Sequence, residues 1–150
     1  MKIHEAQKGE YSISTDERRL DLEVIYDFLA ASYWAKGRSL EAVIKSIRNS
    51  IPFGLYKGVQ QIGFARVVSD YSTFAYLADV FVLPEHRGNG LGIWLIEEIM
   101  SHEELQGLRR WLLVTGDAHG LYRRFGFEGS TSGNVMERLH AKPVAAPDEP

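Results

Sequence analysis

Residues 80–92, Val-Phe-Val-Leu-Pro-Glu-His-Arg-Gly-Asn-Gly-Leu-Gly, carry a buried-type strand into a glycine-rich turn and from there into the apolar spacing of Ile93 to Met100. Pro84 stops the strand because it lacks an N–H and fixes its own φ, while the glycines that follow reach backbone angles closed to other residues. Amides in such a turn point outward, beside the first turn of a helix whose N–H groups have no intrahelical acceptor and whose dipole presents its positive end. That combination holds a phosphate without help from a lysine. A diphosphate ligand is the expectation, and a plain turn closing a strand–helix unit is the alternative.

Spacing narrows the ligand. The dinucleotide fingerprint G-x-G-x-x-G needs glycine at 93 when counted from Gly88, or at 95 when counted from Gly90, and the chain has Ile93 and Leu95 there. The P-loop pattern needs Gly-Lys-Ser/Thr, a triplet the sequence does not contain. What remains is Arg87-Gly88-Asn89-Gly90-Leu91-Gly92, which fits Arg/Gln-x-x-Gly-x-Gly/Ala.

This hexapeptide resembles the coenzyme A loop of the GCN5-related N-acetyltransferase (GNAT) superfamily. Asp79-Val-Phe-Val-Leu-Pro-Glu-His, just ahead of it, resembles that superfamily's fourth strand. Ala118-His-Gly-Leu-Tyr-Arg-Arg-Phe-Gly-Phe127 is similar to its A-x-x-L-Y-x-x-x-G-F motif, in the family's order and separation. The resemblance spans residues 10–140. It implies an α/β (α+β) fold with a central, mixed, twisted sheet of about six or seven strands and about four helices. The implied order is one strand, two helices, three strands, a helix, a strand, a helix and one or two final strands. It also implies acetyl-CoA as cofactor and direct acetyl transfer to a primary amine of a small molecule in a ternary complex. Backbone groups of Phe81 and Val82 are then expected to bind the pantetheine arm where the two flanking strands splay, and the amides of Arg87, Gly88, Asn89, Gly90, Leu91 and Gly92 the diphosphate. Thr115 stands where the family commonly has an asparagine that touches the arm.

The chemistry asks for an acid and a base. Tyr122 is where the family motif places the proton donor for the departing sulfur, a role a phenol in a low-dielectric slot can fill. The alternative is a core tyrosine packed with Leu121 and Phe125. A base is needed because an amine near neutral pH is mostly ammonium. Asp79 is the sole carboxylate on the cofactor strand, so it is expected to serve as base and to contact the acceptor. Its alternative is a carboxylate hydrogen-bonded to a neighbouring turn. Ala78 occupies the place where polyamine-type members have glutamate, which argues against a polyamine substrate. Glu85, His86 and His119 are further proton-relay candidates, or simply solvated side chains. In this superfamily the first helix pair and the connection ahead of the cofactor strand select the acceptor. Here those segments carry Tyr33, Trp34, Tyr71 and Phe74 as walls, with Asp70 beside them and Lys36 and Arg38 as partners for an acceptor carboxylate; core packing and solvated charge explain the same residues.

Composition bounds the rest. At 150 residues, 45% apolar and 25% charged, the chain can bury one core, and residues 1–140 are expected to form a single domain. A net charge of −3 offers no broad cationic face for nucleic acid. No apolar run reaches membrane-spanning length and the first residues lack a secretory apolar region, so no membrane partner and a cytoplasmic location are expected. Zero cysteines exclude disulfides, thiolate metal sites and a cysteine nucleophile, and no metal site is expected. Residues 141–150, with three prolines and almost no bulky apolar side chains, are expected to be disordered.

Along the chain, residues 11–15 alternate as a strand. Asp21 and Ser39 are placed to cap two helices, whose apolar faces carry Leu22, Ile25, Tyr26 and Leu29, then Leu40, Val43, Ile44 and Ile47. Residues 51–56 and 61–68 read as a hairpin turning at Lys57-Gly58, residues 110–114 as a buried-type strand and residues 117–124 as a short helix with Asp117 at its N-cap. A final strand or hairpin is expected around Phe127 and residues 135–139, and its exposed face is the expected route to a homodimer. Two other functions stay open: a non-catalytic acyl-CoA sensor, and a peptide or protein N-acetyltransferase, which needs an open groove across the helix pair.

Overall fold

The computed structural model describes residues 2–140. Six strands form one sheet whose spatial order is the chain order: β1 (Glu5–Lys8), β2 (Tyr11–Ser14), β3 (Ile51–Lys57), β4 (Gln60–Ser69), β5 (Phe74–Val82) and β6 (Arg110–Leu113). Pairing is antiparallel as far as β4–β5 and parallel between β5 and β6. Four helices accompany the sheet: α1 (Leu22–Ala31), α2 (Leu40–Arg48), α3 (Leu91–Met100) and α4 (His119–Arg123). The mixed sheet with four helices is the expected fold class.

The helices start where their capping residues dictate. Asp21 accepts from the backbone N–H of Glu23 and of Val24, at 3.1 and 3.2 Å, and Ser39 accepts from Ala42 N–H at 3.1 Å. Ile25, Leu29, Val43 and Ile47 then bury one stripe of α1 and α2 against Phe64 and Phe81 of the sheet. Leu91, Leu95, Ile96 and Ile99 of α3 do the same on the other face, against Phe53, Leu55 and Leu77. Full burial of one such aliphatic or aromatic side chain contributes about 1.5–3 kcal/mol.

Two departures from the sequence pattern have physical reasons. The strand β1 was not expected, because Glu5-Ala-Gln-Lys8 has no alternation and hardly any buried surface. It forms as an edge strand because Gly9, at φ +60°, turns it back on β2 with Lys8 opposite Tyr11. The final strand around Phe127 and residues 135–139 is absent: residues 127–140 form neither helix nor strand. Glu128 to Asn134 contain no bulky apolar side chain to hold such a segment down, and Val135, Met136 and Leu139 stay exposed. Residues 141–150 lie outside the described residues.

The sheet is shaped around β5. On its β6 side, pairing runs from Phe74↔Arg110 to Leu77↔Leu113, where β6 ends, while β5 continues to Val82, so a V is left between the unpaired end of β5 and the chain that leaves β6. On its β4 side, Phe81 faces Phe64 and Ala78 faces Arg66, which leaves Asp79 and Val80 opposite the single residue Ala65. This is a β-bulge, with Asp79 in the left-handed region at φ +54°. Gly63 lets β4 lie close behind this stretch: a Cβ there would stand 2.8 Å from the carbonyl oxygen of Phe81 and 2.9 Å from Leu55 Cδ2. Gly63→Ala is therefore expected to destabilise the fold by about 1–3 kcal/mol, read as a lower urea midpoint at unchanged slope.

Candidate active site

The turn after β5 is built as its glycines suggest. Gly88 lies at φ +86° and Gly90 at φ +74°, and Gly90 caps α3 without any side-chain hydrogen bond. The first backbone bond of the helix runs from Trp94 N–H to Gly90 C=O. By helix geometry, the N–H groups of Leu91, Gly92 and Ile93 have no intrahelical acceptor. No acidic residue stands in the first turn to offset the dipole. Added Cβ atoms at Gly88, Gly90 and Gly92 would meet nothing within 4 Å, so the space beside these glycines is open. Arg87 Nε donates to Val82 C=O at 2.8 Å and ties the turn to the end of β5, while Asn89 Nδ2 donates to His86 C=O. An open cradle of backbone donors fits a diphosphate.

Val82 and Phe81 differ in which way their backbone faces. Leu83 N–H donates to Ile62 C=O, which makes Gly63/Val82 a pair whose own polar groups point away from each other. The N–H and C=O of Val82 therefore face the opening of the V, with the carbonyl already taken by Arg87. Alternation turns those of Phe81 toward Phe64 instead, and its ring stacks on Phe28 at 4.0 Å between centroids. Phe81 thus packs and braces, and the backbone of Val82 is the one turned away from β4.

Asp79 is buried, its side chain 2% exposed, and both oxygens are engaged. Oδ1 accepts from the Trp34 indole N–H at 2.9 Å; Oδ2 accepts from Arg38 Nη1 at 2.8 Å and from Arg66 Nε at 2.6 Å. Arg66 Nη1 also donates to Ser50 Oγ at 3.2 Å. Burial by itself would raise the carboxyl pKa, but the guanidiniums of Arg66 and Arg38 outweigh it and hold Asp79 below the usual carboxylate range. A general base needs the opposite shift, toward the amine it deprotonates. The expectation that Asp79 is the base is corrected on this ground: it is the anchor of an ion cluster. Arg66 escaped the sequence reading, although a lone charge inside the apolar run Ile62-Gly-Phe-Ala-Arg-Val-Val was the available signal.

The loop between α1 and α2 crosses the mouth of the V. Trp34 holds the β5 bulge, and Tyr33, edge-on to Trp34 at 5.3 Å, reaches the loop after β6. There the Tyr33 hydroxyl accepts from Gly116 N–H at 2.9 Å and donates to Asp117 Oδ1 at 3.5 Å. Phe74 and Tyr71 are not brought to this place. Phe74 begins β5, five residues and about 16 Å of strand from Asp79, and Tyr71 lies beyond it on an exposed turn at φ +62°. Asp70 accepts from the amides of Ser72, Thr73 and Phe74 and shapes that turn.

Tyr122 lies on α4, 8% exposed, edge-on to Phe127 at 6.0 Å between centroids. It lines a cleft of about 290 Å³ along β6 and α4, shared with Leu113, Thr115 and His119. Burial, with Asp117 and Tyr33 adding to it, pushes its phenol up to about 12. Its hydroxyl makes no hydrogen bond among the described residues, so a fully protonated donor is presented. Thr115 Oγ accepts from Ala118 N–H at 3.0 Å and from Asp117 N–H at 3.4 Å. Thr115 thus shapes the turn ahead of α4 and keeps its hydroxyl proton to donate; the helix starts at Ala118 with no side-chain cap, and the carboxylate of Asp117, expected to cap it, is turned to Tyr33 instead. Glu85 and His86 lie in the one-turn helix Pro84–His86, which buries none of its residues.

A parallel strand pair unpaired beyond Leu77 and Leu113, a glycine turn at the head of a helix and a buried tyrosine on the next helix make up the candidate site. Residues 48–129 match the acetyltransferase (GNAT) domain family. A protein of Gibberella zeae with a provisional acetyltransferase name is 35% identical over 138 residues, 77% of each chain. A provisionally assigned GNAT acetyltransferase of Xanthomonas campestris pv. campestris superposes with a TM-score of 0.84 at 48% identity, covering 86% of this chain and 92% of that one. This chain belongs to the GNAT acetyltransferase family. A Clostridium acetobutylicum protein solved with acetyl-CoA shares the fold, at a TM-score of 0.61 and 12% identity over 92% of this chain and 95% of that one. No helix among the described residues is long and apolar enough to cross a membrane.

Proposed function

We propose that this chain is an acetyl-CoA-dependent N-acetyltransferase, a single catalytic domain over residues 1–140 that serves a primary amine of a small molecule in a ternary complex. The observation that carries this reading is the open donor cradle at Gly88 to Ile93 beside the V between β5 and β6. Bound acetyl-CoA would supply an activated acetyl thioester. The amides of the cradle would hold its diphosphate, the Val82 N–H and the Thr115 hydroxyl its arm, and Tyr122 would keep a proton at its hydroxyl for the departing sulfur. The chain has no cysteine to carry an acyl group, in line with direct transfer. Among the carboxylates, Asp79 is unsuited to take the amine's proton, so the acceptor is bound as the free amine. The Clostridium acetobutylicum relative solved with acetyl-CoA supports the choice of cofactor.

Gly92→Asp tests this reading. The side chain enters open space at the second position of α3, where an acid favours the helix by about 0.3–1 kcal/mol. The melting temperature should hold or rise slightly. Coenzyme A affinity by calorimetry should fall by about tenfold or more, because a carboxylate then faces the diphosphate. Unchanged affinity would remove the cradle from the binding site.

A further inference from the structure

We infer that the acceptor carries a carboxylate beside its amine, and that Arg38 reads it. The inference rests on the acetyl-transfer reading above and adds the substrate class to it. Two guanidiniums converge on the carboxylate of Asp79, so the cluster keeps one uncompensated positive charge. Arg66 alone would neutralise Asp79, and it is committed: Nε to Asp79, Nη1 to Ser50, its side chain 13% exposed. Arg38 is the surplus one. It spends a single nitrogen, Nη1, on Asp79, and among the described residues its Nε and Nη2 have no partner, while a quarter of its side chain is exposed.

The surplus charge sits where an acceptor must come. Asp79 lies two residues past Leu77, the last residue of β5 paired to β6, at the point where the V opens. Trp34 and Tyr33 span from that point to Gly116 on the other side, so Arg38 belongs to the frame of the mouth. A planar guanidinium with a free edge offers parallel N–H donors that match a carboxylate, and such charge-assisted pairs are among the stronger polar contacts. The same charge repels diamines and lysine-like acceptors, and it lowers the pKa of an ammonium brought near it, which favours the free amine needed for attack. Asp117 on the opposite wall, tied to Tyr33, gives the mouth a negative side as well. An amino acid or a close amino-carboxylate matches this polarity.

The test is thiol release from acetyl-CoA with the full chain and a panel of amino acids, each beside its own carboxamide, together with 1,3-diaminopropane. At least one amino acid should exceed its carboxamide in kcat/KM by about tenfold or more, mainly through KM. Arg38→Gln should erase that preference by lowering turnover of the acid and not of the amide; Arg66 still neutralises Asp79, and a thermal melt checks the fold. Arg38→Lys, which keeps the charge and loses the fork, should keep part of the preference. Amides or the diamine turned over as well as the acids, or a preference untouched in both variants, would overturn the inference while leaving acetyl transfer standing. Thiol release from no amine at all, with coenzyme A still bound in calorimetry, would overturn both this inference and the proposed activity.

Discussion

Tyr122→Phe is expected to lower kcat by about 10²-fold or more while coenzyme A affinity stays the same. The ring keeps its edge contact with Phe127 and its place in the core, so the variant should fold and bind. What it loses is a proton held at a hydroxyl that burial pushes up to about 12 and that makes no hydrogen bond among the described residues. A phenol so placed stays protonated through the pH range of ordinary assays. In the wild type, kcat/KM for the acceptor should rise with pH as the free amine loses its proton, then level off, with no alkaline decline traceable to Tyr122 below about pH 12. Stopped assays of kcat/KM against pH, with coenzyme A titrations of both proteins, check the expectation. An acyl-CoA sensor would behave otherwise, since its binding response would survive and there would be no turnover to lose.

Asp79→Ala is expected to remove about 3–5 kcal/mol of stability, toward the lower end because Arg38 is partly solvated. The variant leaves two guanidiniums at the bulge without their counter-charge and unties Trp34 from β5. The pH dependence has a definite sign. The folded pKa of Asp79 lies below its unfolded value, so its contribution is fully present above the unfolded carboxylate range, near pH 4, and is lost as pH falls through the folded value. Urea unfolding should give a constant gap between wild type and variant from pH 5 to 8 and a narrowing one below about pH 4. A gap that widened on acidification would contradict the ion cluster. Asp79→Asn, which keeps hydrogen-bonding capacity, should recover part of the loss but not its pH dependence.

Much of this architecture was legible in the residues. Apolar spacing and the capping groups Asp21 and Ser39 located α1 and α2, and Pro84 with Gly88 and Gly90 located the cradle, because those features act over a few residues and need no tertiary partner. The illegible parts depend on distant chain. The ionisation of Asp79 is decided by Arg66 and Arg38, 13 and 41 residues away, so its position on the cofactor strand said base where its surroundings say anchor. Tyr71 and Phe74 were near in sequence to the cofactor strand but sit at its other end, a distinction no local pattern makes. β1 escaped because an edge strand buries almost nothing, and the expected last strand failed because alternation over residues 135–139 is outweighed by the polar, glycine-containing run before it.

The Tyr33–Gly116 contact is a neutral hydrogen bond, and bonds of that kind contribute about 1 kcal/mol net. A latch that weak is released by thermal motion roughly one time in six, since 1 kcal/mol is about a fivefold ratio of populations. The doorway is therefore held shut only weakly and filters visitors poorly by girth. Discrimination is left to the fixed charges on its posts, so unlatching the doorway by Tyr33→Phe should change little in the range of sizes admitted and nothing in which sign of charge is admitted.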